Sequence, residues 1–244
     1  MRVAVIGSSH VGAIKEALPQ IRAAYPTVRL DFFAVPGGVF RRCVLRGEVF
    51  RTKPQSDAEA AMILQVNGTL SCDVADHDHI WVVGYRFAYG AVLQAWINNN
   101  DPQTEMLAAL GESVERIATQ FGPDRRITLT PAPYPSLRTR APGPKHEMRM
   151  ARIQRHPERD AIFTAYETAL TQFVKTAGYH CVLQPADTRA APFATDNRFL
   201  IGAKDFQHGQ PLQGDLRHMN HSYGRAVFAA FAEQRLGLMP ETSG

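Results

Sequence analysis

The chain has little of what marks a disulfide scaffold, a zinc knuckle or a membrane span. Among 244 residues there are three cysteines, Cys43, Cys72 and Cys181. They are widely spaced, odd in number and form no Cys-x-x-Cys pair, so they read as small core residues rather than ligands or reactive thiols. No apolar stretch is long enough to cross a bilayer, and the run Val3–Ile6 is too short for a signal-peptide core. A dense Lys/Arg block is also absent. The 27 basic and 23 acidic side chains leave a net charge of +4, which argues against a nucleic-acid footprint while suiting an anionic ligand. There is no internal repeat and no break in composition. With 45% apolar and 20% charged residues, the chain reads as one globular domain over residues 1–244 with a real core. A soluble cytoplasmic protein is expected, with neither nucleic acid nor membrane as partner; its oligomeric state is not readable.

What is present is an alternation of short β-branched runs and helical stripes. Val3–Ile6 stops at Gly7 as a buried parallel strand does. Val11, Ile14, Leu18 and Ile21 form a helical stripe that fades before Pro26. Further strands are expected at Arg29–Val35, Ile80–Val83, Arg126–Thr130 and Tyr179–Leu183. Helices are expected at Ala88–Ile97, Met106–Phe121, around Ile162–Val174 and from about Ser222 to Leu236. Arg41–Thr69 suggests a hairpin or a lid, and Ser136–Pro157 a long surface loop. Strands alternating with helices imply a three-layer α/β/α domain around a mostly parallel, flavodoxin-like five-stranded sheet.

In such a sheet the ligand sits beyond the carboxyl ends of the strands. The turn Gly7-Ser8-Ser9-His10 therefore faces the expected site. Three chemistries compete for it. A dinucleotide fingerprint would use Gly7 and Gly12, but Ser9 fills the place of the central glycine, and Val35-Pro36 stand where an acidic residue should end the second strand. A P-loop fails because Ala13 follows Gly12 in place of Lys-Ser/Thr. The third reading makes Ser9 a nucleophile, which requires a base. Asp215-Leu-Arg-His218, just before the last helix, can supply one: His218 takes the hydroxyl proton and Asp215 holds its tautomer. The plainer alternative is a polar loop capping the last helix, a task Asn220 or Ser222 can perform alone.

With these residues in view, the chain resembles the SGNH (GDSL-like) hydrolase superfamily over most of its length. The turn Gly7-Ser8-Ser9 takes the place of the Gly-Asp-Ser block, with Ser8 for the usual Asp. "IGSSHVGAIKEAL" and "HMNHSYG" look most like a bacterial subgroup. Asp215 and His218 match the closing Asp-x-x-His block. The resemblance implies that Gly37 or Gly38 gives an N–H to the oxyanion hole. It also places the third block at Gly84-Tyr85-Arg86-Phe87, where Arg86 stands for the asparagine donor. Loss of one such donor typically costs ~2.7–4 kcal/mol of transition-state stabilisation unless Arg86 or Tyr85 replaces it. The implied activity is cleavage of a small acyl ester or acylated sugar, without cofactor. A coenzyme A-dependent acyltransferase is the same-chemistry alternative, and a binding module for an anionic ligand held by Arg86 is the non-enzymatic one.

Other features read as structural. His77-Asp78-His79 beside Asp73 and Asp76 lack an identifiable third ligand, so a solvated strand entrance is expected and no metal. His208 and His221 read as surface or capping residues. Arg138, Arg140, Lys145, Arg149 and Arg152 read as a solvated loop face that can also meet phosphate or carboxylate. Trp81 and Trp96 are assigned to the core.

Overall fold

The computed structural model describes residues 1–98, 101–136, 151–204, 210 and 218–241. Five parallel strands form the central sheet: β1 (Arg2–Gly7), β2 (Arg29–Ala34), β6 (His79–Tyr85), β7 (Ile127–Pro131) and β8 (His180–Cys181), in the order β2-β1-β6-β7-β8. Their side chains alternate between two apolar layers. Ala4, Ile6, Ile80 and Val82 enter one cluster, while Val3, Val5, Trp81 and Val83 enter the other. Burial on both faces is why these strands read as unbroken apolar runs rather than as alternating ones.

Helices α1 (Val11–Glu16), α2 (Leu18–Ala24) and α8 (His221–Phe231) cover the second face. Helices α5 (Tyr89–Asn98), α6 (Pro102–Phe121) and α7 (Arg159–Thr176) cover the first. The three-layer α/β fold expected from the sequence is thus the one observed. Trp81 is fully buried, stacks on Phe231 at 4.3 Å and donates its indole N–H to the Thr130 hydroxyl at 2.8 Å. Cys43 is buried as well, and desolvation pushes its thiol up to about 12. No described helix is long and apolar enough to cross a membrane.

Three local readings need correction. The stripe Val11–Ile21 is two helices joined at Ala17, because Pro19 has no N–H to give and its ring crowds the carbonyl four residues earlier. The last strand is shorter than Tyr179–Leu183. It is an edge strand that pairs only through Thr128–His180 and Leu129–Cys181 before the chain turns toward Pro185. Asp73, Asp76 and Asp78 are exposed, as a solvated strand entrance requires, but His77 is not. His77 is buried, and its Nε2 lies 3.1 Å from Asp31 Oδ2, which Arg2 also meets at 2.6 Å. No group of three or more His, Cys, Asp or Glu side chains suited to a metal occurs among the described residues.

The region from Arg41 to Thr69 holds a hairpin. Strands β3 (Val44–Arg46) and β4 (Val49–Arg51) turn at Gly47 and pair antiparallel, and β5 (Ser71–Asp73) extends them to three strands. The short α3 (Gly37–Phe40) precedes the hairpin and α4 (Asp57–Asn67) follows it. Phe50 on β4 stacks on Phe121 of α6 at 5.8 Å. That contact seats the hairpin beside α6.

Candidate active site

The site begins where three strands end together. Gly7 lies beside Ala34 on β2 and Val83 on β6. A Cβ at Gly7 would lie 2.1 Å from the Val83 carbonyl oxygen, so only glycine lets these backbones approach. The chain then turns. Ser8 is buried, donating its backbone N–H to Val83 O at 3.2 Å and its hydroxyl to Gly84 O at 3.3 Å. Ser8 therefore does a structural job in this turn: it ties the end of β1 to the end of β6.

At Gly84 the β6–β7 register shifts, and the residue adopts a φ of +86°. A side chain there would be strained by the backbone and would meet Ser8 Oγ at 2.3 Å. Irregularities of this kind re-aim the residues that follow them. Here Tyr85 and Arg86 both line the cleft that holds Ser9.

Ser9 follows on the turn, half-buried. Its Oγ lies 2.7 Å from His218 Nε2, across 209 residues of sequence. Two devices place His218. Asn220 caps α8, accepting from the N–H groups of Ser222 at 3.0 Å and Tyr223 at 3.2 Å, while its amide donates to the Arg198 and Ile201 carbonyls at 2.9 Å each. The cap expected of Asn220 or Ser222 is thus made by Asn220, which frees His218 for other work. The second device is the seat of α8 on α1. A Cβ at Gly224 would lie 2.0 Å from the Ala13 carbonyl oxygen, so the two helices touch at backbone distance. The His10 ring also stacks on His218, with centroids 5.4 Å apart.

Ser9, His10 and His218 open into a cleft of about 1370 Å³. Gly37, Gly38, Gly84, Tyr85 and Arg86 line the same cleft, so every sequence-predicted site residue within the described chain is brought together. Asp215 lies outside the described residues, as do His208, Arg138, Arg140, Lys145 and Arg149. Arg152 and His221 are exposed. A Cβ at Gly37 or Gly38 would meet nothing within 4 Å, so neither glycine is demanded by space. Burial pushes the phenols of Tyr85, Tyr89 and Tyr134 upward, and all three line the cleft as neutral groups.

Sequence reasoning missed one wall of this cleft. Arg41, Arg42, Arg46 and Lys53 reach it from α3 and the hairpin, and Arg116 from α6. These residues form no motif; folding alone assembles them.

No family model matches the chain, and no curated protein matches it. Solved structures similar to it include a DUF4886 family protein from Bacteroides uniformis, at 15% identity and a TM-score of 0.44, covering 100% of this chain and 87% of that one. A member of the lipolytic protein G-D-S-L family from Veillonella parvula is 12% identical, with a TM-score of 0.36 and coverage of 98% and 100%. An extracellular lipase from Streptomyces rimosus is 9% identical, with a TM-score of 0.38 and coverage of 93% and 96%. The site described above stands on its own geometry.

Proposed function

We propose that this protein is a serine hydrolase of the SGNH type that cleaves an acyl ester of a small molecule. The observation that carries the reading is the 2.7 Å approach of Ser9 Oγ to His218 Nε2 at the mouth of a large cleft. A serine hydroxyl is a weak nucleophile at neutral pH and needs a base at this distance. Ser9 Oγ attacks the ester carbonyl carbon while its proton passes to His218 Nε2. The tetrahedral oxyanion collapses, the alkoxide leaves with that proton, and an acyl-Ser9 ester remains. Water, deprotonated by His218, then releases the carboxylic acid and restores Ser9.

Asp215 is assigned to orient His218 and stabilise its imidazolium form. The oxyanion is assigned to the Ser9 N–H, which no described residue accepts, and to the N–H of Gly37 or Gly38. Arg86 takes the place of the side-chain amide donor, and its charge offsets the loss expected for a missing donor.

A fluorophosphonate probe tests the assignment. The wild-type protein is expected to label at one site. Labelling should vanish in Ser9→Ala and fall at least a hundredfold in rate in His218→Ala. A folded wild-type protein that does not label refutes the nucleophile and leaves a binding module.

A further inference from the structure

The cleft that holds Ser9 is also lined by cations on separate elements. Arg42 is already engaged, with Glu59 at 2.6 Å and the Gly38 and Lys53 carbonyls. Arg46 donates to the carbonyls of Leu45 and Thr119. Arg41, Lys53 and Arg116 differ: none has a carboxylate partner among the described residues. Glu112 and Glu115 share the cleft, but neither forms an ion pair among the described residues. The wall therefore keeps an excess of positive charge facing the cavity.

Arg41 and Arg116 are also held in register. The buried Gln120 side chain on α6 donates to the Phe40 carbonyl at 2.6 Å, locking α6 to the end of α3 one residue before Arg41. Arg46, on β3, ties the hairpin to α6 through Thr119 O. Both guanidinium groups act on one buried phenol, Tyr85: each opposes the upward push that burial gives its hydroxyl, and Arg116 does so through a hydrogen bond as well as its charge. Tyr85 belongs to the segment that borders the Ser9 turn. Two guanidinium groups without a carboxylate partner among the described residues, Arg116 also donating to the Ser113 hydroxyl at 3.1 Å, border one buried hydroxyl, an arrangement suited to an oxyanion.

We propose that Arg41 and Arg116, over the Tyr85 hydroxyl, form an anion subsite, so that the ester cleaved at Ser9 carries a carboxylate or phosphate elsewhere in the molecule. The proposal names the substrate class and rests on the hydrolase reading for its catalytic part; the anion site itself does not. Neutral acylated sugars and lipid esters then become poor substrates. Lys53 supplies long-range charge at the rim.

The test separates the two parts. Inorganic phosphate is titrated by calorimetry into Ser9→Ala, and again after adding Arg41→Gln or Arg116→Gln. Binding that weakens about tenfold or more with each change supports the subsite even if no ester is turned over. No binding, or binding indifferent to both changes, overturns it. Turnover is then compared within two pairs of esters. Mono-4-nitrophenyl succinate is set against its neutral methyl ester, and acetylated glycerol phosphate against acetylated glycerol. The wild-type protein is expected to favour the charged member of one pair by tenfold or more in kcat/KM. The first pair identifies a carboxylate and the second a phosphate. Arg116→Gln should bring that preference close to one. Equal turnover of charged and neutral members refutes the anion subsite while leaving the nucleophile standing. Absence of fluorophosphonate labelling removes the nucleophile while leaving phosphate binding to be judged alone.

Discussion

Gly224→Ala is a one-carbon change outside the cleft lining, yet it should disable Ser9. The new Cβ would lie 2.0 Å from Ala13 O, 2.3 Å from Ala13 C and 2.7 Å from Ile14 N. Ordinary carbon–oxygen contact is about 3.3 Å or more, so α8 must retreat from α1 by roughly 1 Å. The obstacle is backbone, which cannot swing aside as a side chain would. Overpacking of this kind costs about 1–3 kcal/mol, against about 1 kcal/mol regained because alanine is the better helix former. The net loss of stability should be about 0–2 kcal/mol. The larger effect is on geometry. His218 lies just ahead of α8 and Ser9 just ahead of α1, so the retreat is transmitted to their 2.7 Å contact. A 1 Å misplacement of reacting groups can cost about a hundredfold in rate. Gly111→Ala on α6 is the control, since its Cβ meets only the Phe173 ring at 3.6 Å and should stabilise slightly. Urea denaturation and the rate of fluorophosphonate labelling are the two assays. Wild-type stability together with wild-type labelling in Gly224→Ala would show that the α1–α8 contact does not set the site.

Gly84→Ala combines a φ of +86° with a 2.3 Å clash on Ser8 Oγ. It should cost about 1–3 kcal/mol, seen as a melting point several degrees lower, and Ser8→Ala in the same chain should recover only the clash. An unchanged melting point in Gly84→Ala refutes the account of the turn. Asp31 should govern part of the acid response. Burial raises its carboxyl, but the hydrogen bond and charge of Arg2, the charge of Arg29 and the hydrogen bond with His77 together hold it below the ordinary value. Its contribution is therefore present above the unfolded pKa of about 3.9 and lost as pH falls through the lower folded value. The difference between the wild-type protein and Asp31→Asn, measured by urea midpoints, should shrink from pH 7 to pH 3; a constant difference contradicts the pairing.

Parts of the site were legible because they are local. A β-branched run that halts at Gly7 and passes into an apolar helical stripe specifies a strand, a turn and a helix whatever lies around it. That placed Ser9 at the carboxyl end of the sheet. Asn220 before the last helical stripe likewise declared a cap. One misreading concerned the backbone and another concerned distance. The stripe Val11–Ile21 looks continuous because periodicity records which side chains are apolar, whereas Pro19 acts on the backbone. His77 looked solvated among acidic neighbours in sequence, but its partner Asp31 lies on β2, 46 residues upstream.

By itself, then, the sequence determined the layer architecture, the Ser9 turn and the chemical candidates Asp215 and His218, because hydrophobic period and turn chemistry act over a few residues. Only the tertiary structure decided that Ser9 and His218 touch, since that depends on a helix seat at Gly224 measured in tenths of an ångström. It also decided that Arg41 and Arg116 face the same cavity. Charges 75 positions apart carry no mutual signal along the chain; the hairpin packed against α6 turns them into one wall.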